Sequence, residues 1–220
     1  VCLGGDTTHS SFLWIVDVSD PREPYAVGEY TSPRGVHVEG DIVLSGDYAY
    51  VPAGGNGMRI LRMKPQAPYE LGYWDGLGNT RGVALSGNLA YVTDCDSGLH
   101  IVDVSDPYAP FELGRCSLPG FTLLVAVSGD FAYVAGLDVG GKLRVIDVSN
   151  PQAPHPVGWT GFPGTARGVA VSGDFVYVVS RQGLYVIDVS DPPNPHLAGW
   201  YVEDCGGVAV SGNLAYTDGL

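Results

Sequence analysis

The sequence predicts an all-β fold, a five-bladed β-propeller of four-stranded antiparallel blades. Three observations predict it. Ile15-Val16-Asp17-Val18-Ser19-Asp20-Pro21 recurs at 101–107, 145–151 and 186–192, with a degraded copy at Ile60-Leu61-Arg62-Met63-Lys64-Pro65. A Ser-Gly-Asp/Asn turn interleaves with it, its glycines at positions 46, 87, 129, 173 and 212. The strands between are short and β-branched, with no helical period, and 32 Gly and 16 Pro punctuate the 220 residues. Repetition at this period marks a stack of small sheets.

Each unit reads as four strands. Strand a is like Gly82-Val83-Ala84-Leu85, and Ser-Gly-Asn/Asp supplies the positive-φ positions of a hairpin turn. Strand b is like Leu89-Ala90-Tyr91-Val92. After a polar loop comes strand c, Gly98 to Val104, ended by an Asp-Pro-x-x-Pro corner because proline cannot donate to a ladder. The second corner prolines are Pro24, Pro68, Pro110, Pro154 and Pro195. Strand d is like Phe111-Glu112-Leu113-Gly114. A lone sheet of this kind cannot bury both faces, whereas radial stacking can.

The blades are expected at about 40–76, 81–118, 122–161 and 167–203. The chain opens in a strand c (Phe12 to Val18) and strand d (Tyr25 to Tyr30), and it closes after an a–b hairpin. These halves are complementary. The fifth blade is therefore expected from 206–220 plus 1–32, with Phe12–Val18 paired to Leu214–Thr217, which removes open edges.

The net charge of −13 opposes binding to nucleic acid or to anionic lipid, and no apolar run reaches membrane-spanning length. The four cysteines form no C-x-x-C pair, which disfavours zinc. The b–c and d–a loops share one face, and all four cysteines fall there. The expected disulfides are Cys95–Cys116 and Cys2–Cys205, which would imply an oxidising compartment.

The motifs Val-Ile-Asp-Val-Ser-Asp-Pro and Ser-Gly-Asp/Asn-x-Ala-Tyr-Val, alternating over nearly the whole chain, resemble those of the LVIVD-repeat propellers of bacteria and archaea. The resemblance implies a propeller found on secreted or cell-surface proteins, with no shared catalytic motif. One copy departs: Arg62-Met63-Lys64 stands where the others keep Asp-Val-Ser.

The repeat is an internal control for chemistry. Asp17, Asp103, Asp147 and Asp188 recur at the corner and read as turn anchors. The inner strands carry no acid apart from Asp41 at one margin, so they offer no carboxylate pair to a sugar. Asp94 and Asp96 form a weak candidate cation loop, lacking the further oxygens that calcium takes; otherwise no metal or cofactor is implied. Trp159 and Trp200 are expected to pack between blades.

Departures from the repeat gather on the loop face. The candidate binding residues are Arg34, Arg81, Arg167, Arg181, Trp74, Asp75, Tyr201 and Asp204, a composition typical of binding hot spots. The expected function is a non-enzymatic extracellular or cell-surface binding scaffold whose loop face takes a protein or carbohydrate. The alternative is a hydrolase with its site at the channel mouth.

Overall fold

The computed structural model describes residues 2–6, 10–33, 35–38, 40–76, 78–137 and 140–219. It is all-β. The first sheet holds β1 (Cys2–Asp6), β2 (Ser10–Asp17) and β3 (Tyr25–Thr31). Four four-stranded sheets follow. The second is β4 (Val43–Ser45), β5 (Tyr48–Pro52), β6 (Met58–Arg62) and β7 (Tyr69–Trp74). The third is β8 (Thr80–Ser86), β9 (Leu89–Asp94), β10 (Gly98–Asp103) and β11 (Phe111–Cys116). The fourth is β12 (Phe121–Ser128), β13 (Phe131–Leu137), β14 (Lys142–Asp147) and β15 (His155–Gly161). The fifth is β16 (Gly168–Ser172), β17 (Phe175–Ser180), β18 (Gly183–Asp188) and β19 (His196–Tyr201). A two-stranded sheet, β20 (Cys205–Ser211) and β21 (Leu214–Gly219), ends the chain. Strand order follows chain order, and all pairs within these sheets are antiparallel.

The first strands of consecutive sheets adjoin, β8 with β12, β12 with β16 and β16 with β20, so strand a lies innermost. The core sits between sheets. Leu99, Ile101 and Tyr91 of the third sheet pack on Ala132, Val134 and Ile146 of the fourth, and similar clusters join first to second, second to third and fourth to fifth. The five turn glycines have φ between 56° and 58°, as the Ser-Gly signature requires.

The corner aspartates are turn anchors. Oδ1 of Asp17, Asp103, Asp147 and Asp188 accepts the backbone N–H two residues on, at 2.8–2.9 Å. In the divergent second sheet Arg62 takes this place and donates to Asp47 at 2.7 Å across the a–b turn.

The closing blade differs from expectation. β2 takes its inner neighbour from β1, with Phe12 opposite Gly4, and Leu214–Thr217 pairs only with β20 among the described residues. The two terminal segments thus remain separate sheets. The physical reason is that β1 fills the ladder of β2 on the side where β21 was expected.

Candidate functional site

The loop face is built from the b–c and d–a connections, and in the fifth sheet it holds a cavity of about 410 Å³. Gly164, Thr165 and Arg167 of the β15–β16 connection line one side, Arg181 and Gln182 of the β17–β18 turn the other. The Arg167 backbone is fixed by its N–H to Val179 carbonyl bond at 2.8 Å, and its guanidinium reaches Asp204 at 3.4 Å. Asp204 lies before β20, so this ion pair spans two sheets. Arg181 is exposed. Three expected residues, Arg167, Arg181 and Asp204, therefore meet at one place.

The other expected residues do not join them. Arg81 opens β8 and faces Cys95, whose thiol is pushed up by burial and partly drawn back by that guanidinium. Trp74 is 7% exposed, packs on His100 with ring centroids 5.0 Å apart, and lies against the same groove as Asp75. Asp75 is exposed beside a groove on the outer side of the second and third sheets. Tyr201 ends β19 and is 61% exposed. Arg34 lies outside the described residues. Trp159 and Trp200, expected between blades, sit instead on the outer strand d, 62% and 66% exposed. Lys142 lies over the Trp159 ring at 4.6 Å. Trp159 stands opposite the buried Arg144 and lines with it, Leu118 and Pro119 a groove of about 330 Å³.

Asp94 is fully buried, and its Oδ1 accepts the N–H groups of Asp96 and Ser97 at 2.9 and 3.0 Å. It caps its own turn, while Asp96 points to solvent. The expected disulfides are absent from the described residues: Cys95, Cys116 and Cys205 are free and buried. Cys116 points into the core between the third and fourth sheets, whereas Cys95 lies beside Arg81 in the loop. The two strands are also separated by β10, about two ladder spacings. The Cys205 thiol lies 3.2 Å from the Glu203 carbonyl and 3.4 Å from Thr217 Oγ1.

One arrangement escaped the sequence reading. Ser97 Oγ lies 2.7 Å from His100 Nε2, and His100 Nδ1 lies 2.9 Å from Glu112 Oε2. Nucleophile, base and orienting carboxylate are in hydrogen-bond reach. Yet His100 is fully buried under Trp74, and the Ser97 N–H already donates to Asp94, so an acyl oxyanion would meet a carboxylate there instead of a donor. In the second sheet the same place holds the Arg59–Glu70 ion pair at 3.2 Å. The chain Ser97–His100–Glu112 is thus a buried strap between strands c and d. The Ser-x-x-His spacing was visible in sequence. The bulge between Ile101 and Val102, which sets how Glu112 meets His100, was not.

The LVIVD repeat matches residues 10–32, 39–61, 77–117, 119–159 and 163–203. The chain belongs to the LVIVD repeat family. A search of curated proteins finds no match. Among solved structures, the computationally designed Ika8 protein is similar with a TM-score of 0.69 at 10% identity, over 99% of this chain and 67% of that one. The β-propeller domain of Myceliophteria thermophila Cps50 (Swd1) is similar with a TM-score of 0.66 at 13% identity, over 94% of this chain and 71% of that one. At such identity the likeness shows the fold alone: this LVIVD chain is a β-propeller. It has no helix among its described residues long and apolar enough to cross a membrane.

Proposed function

We propose that this LVIVD propeller is an interaction scaffold that takes a carboxylate-bearing partner at the loop face of its fifth sheet. The observation that carries the reading is the cavity where Arg167 and Arg181, fourteen positions apart in sequence, line opposite walls. The chain carries a net charge of −13, and here Asp204 and nearby Asp218 offset Arg167. Asp204 holds one guanidinium in place, and Arg181 is left facing solvent, where a second carboxylate can form a charge-assisted pair. The carboxylate belongs to an acidic protein segment or to a uronic-acid sugar. We assign the scaffold to the cell surface or the exterior on the family resemblance alone, since free thiols lend no support from disulfides.

The hydrolase alternative has less behind it. Its best constellation, Ser97–His100–Glu112, is capped by Trp74 and lacks an oxyanion donor at Ser97.

Calorimetric titration with polyglutamate and with polygalacturonate tests the proposal and separates the two sources. One probe should bind, and Arg181→Ala should weaken it about tenfold, the equivalent of one lost charge-assisted bond, with the melting temperature unchanged. Failure of both probes, or equal binding by the variant, overturns it.

A further inference from the structure

Corresponding places in successive sheets serve as controls for one another. Where two sheets meet near their outer strands, three positions come together: the end of strand d in one sheet, and a strand c residue and a strand d residue of the next. Between the first and second sheets they are Tyr30, Arg59 and Glu70. The Tyr30 hydroxyl and the Arg59 guanidinium both reach the Glu70 carboxylate, at 2.9 and 3.2 Å. Between the second and third sheets they are Trp74, His100 and Glu112. Trp74 packs on His100, whose Nδ1 lies 2.9 Å from Glu112. Each time an aromatic ring and a carboxylate close over a basic side chain.

The interface between the third and fourth sheets keeps the base and replaces both covers. Arg144 stands in register with Arg59 and His100 and is 6% exposed. The aromatic position is Cys116, and the carboxylate position is Pro156. At this place lies the groove of about 330 Å³, lined by Arg144, Pro156, Trp159, Leu118 and Pro119. One interface later the base is gone as well, since the three positions hold Thr160, Tyr185 and Leu197.

Arg144 Nη2 donates to the Pro119 carbonyl at 2.7 Å, which fixes the guanidinium at the groove wall. A guanidinium carries five N–H donors in a fork matched to a carboxylate. Trp159, Leu118 and the two prolines give the groove apolar walls, and Lys142 brings a second cation to the Trp159 ring. The described lining residues include no carboxylate. The volume falls at the small end of the ~300–1,000 Å³ of ligand pockets, which suits a small molecule.

We propose that this groove binds a small aromatic carboxylate. Its ring takes the place that Tyr30 and Trp74 fill in the earlier interfaces, and its carboxylate takes that of Glu70 and Glu112. Tyr30 and Glu70 already touch, so one molecule with its carboxylate a bond or two from the ring carries both groups. The groove shares no described lining residue with the Arg167–Arg181 cavity, and the inference stands apart from the function proposed there.

Calorimetric titration of the full chain with indole-3-acetate tests this, beside indole-3-ethanol, which lacks the carboxylate, and galacturonate, which lacks the aromatic ring. Indole-3-acetate should bind, and each analogue should bind about tenfold or more weakly, having lost one of the two contacts. Pro156→Glu returns the repeat's own carboxylate beside Arg144 at an exposed position. It should keep the parent melting temperature and weaken binding about tenfold. Trp159→Ala, also at an exposed position, should weaken it roughly threefold to tenfold through lost ring contact. Arg181→Ala should bind as the parent does. No binding of indole-3-acetate up to its solubility limit overturns the inference, as does parent-like binding by Pro156→Glu or Trp159→Ala. A loss in Arg181→Ala overturns it by moving the ligand to the other cavity, and galacturonate binding as tightly as indole-3-acetate overturns it in favour of a sugar acid.

Discussion

Gly158 of β15 lies against the carbonyl oxygen of Pro192 in the next sheet's corner, with no room for a β-carbon between them. The contact ties the outer strand of one sheet to the end of strand c in the next, far from the inner strands. Gly199 occupies the same place one sheet later with open space around it. The two positions make a matched pair. Gly158→Ala should cost about 1–3 kcal/mol, the usual penalty of overpacking. Gly199→Ala should change stability by less than about 0.5 kcal/mol. Urea unfolding of both variants checks this, and equal losses would mean that the glycines serve their own strands.

The corner carboxylates should titrate low. Both the Ser149 hydroxyl, at 2.6 Å, and its N–H, at 2.9 Å, reach Asp147 Oδ1, and these bonds hold the Asp147 pKa below the usual aspartate value. Asp188 with Ser190 repeats the geometry. A folded-state pKa below the unfolded one, about 3.9, gives stability that is present above that value. It is lost as pH falls through the lower folded value. Carbon-detected NMR titration of Asp147 should find its midpoint below 3.9, and Ser149→Ala should raise it. An unmoved midpoint in the variant would assign the shift to another cause.

Locally encoded features were legible in the sequence. The Ser-Gly turns and the Asp-Pro corners each depend on a few adjacent residues, and the repeat displays them several times over. What was not legible depends on side-chain direction or on long-range pairing. β1 contains Gly4 and Gly5, which weaken any strand reading, so the competitor for the edge of β2 went unseen. Trp74 and Trp159 both lie in strand d, one buried and one exposed, because they are one register position apart and point to opposite faces. Arg81 and Arg167 are legible as departures from the repeat, but only the fold brings Arg167 to Arg181 and Asp204 and sets Arg81 beside Cys95.

The thiols give a direct chemical test. Cys95, Cys116 and Cys205 are buried and free, and burial pushes the Cys95 and Cys116 thiols upward. Both properties slow reaction with disulfide reagents in the native state. Ellman titration of unreduced protein should therefore find these three thiols unreactive when folded and all reactive in guanidinium. Fewer than three after denaturation would mean that a bridge forms.

The last prediction concerns Glu70, which joins two sheets through its two oxygens. Oε2 accepts the Tyr30 hydroxyl of the first sheet at 2.9 Å, and Oε1 meets Arg59 Nη1 at 3.2 Å. Burial first, and the carboxylate second, push the Tyr30 phenol well above its ordinary value. A raised folded-state pKa means stability that is whole below the unfolded value, about 10. It is lost as pH rises through the higher folded value, so alkaline unfolding should begin near pH 10. Tyr30→Phe should cost about 2 kcal/mol, one hydrogen bond to a charged acceptor, and should flatten that alkaline loss. Glu70→Gln should cost more, about 3 kcal/mol, because the Arg59 side chain is only 9% exposed and is left without its counter-charge. The double variant should fall short of the sum by more than about 0.5 kcal/mol, since both changes break the same bond. Strict additivity in chemical denaturation would show that Tyr30 and Glu70 act independently, and that the first sheet is held to the second by the apolar cluster of Leu13, Val51 and Leu61.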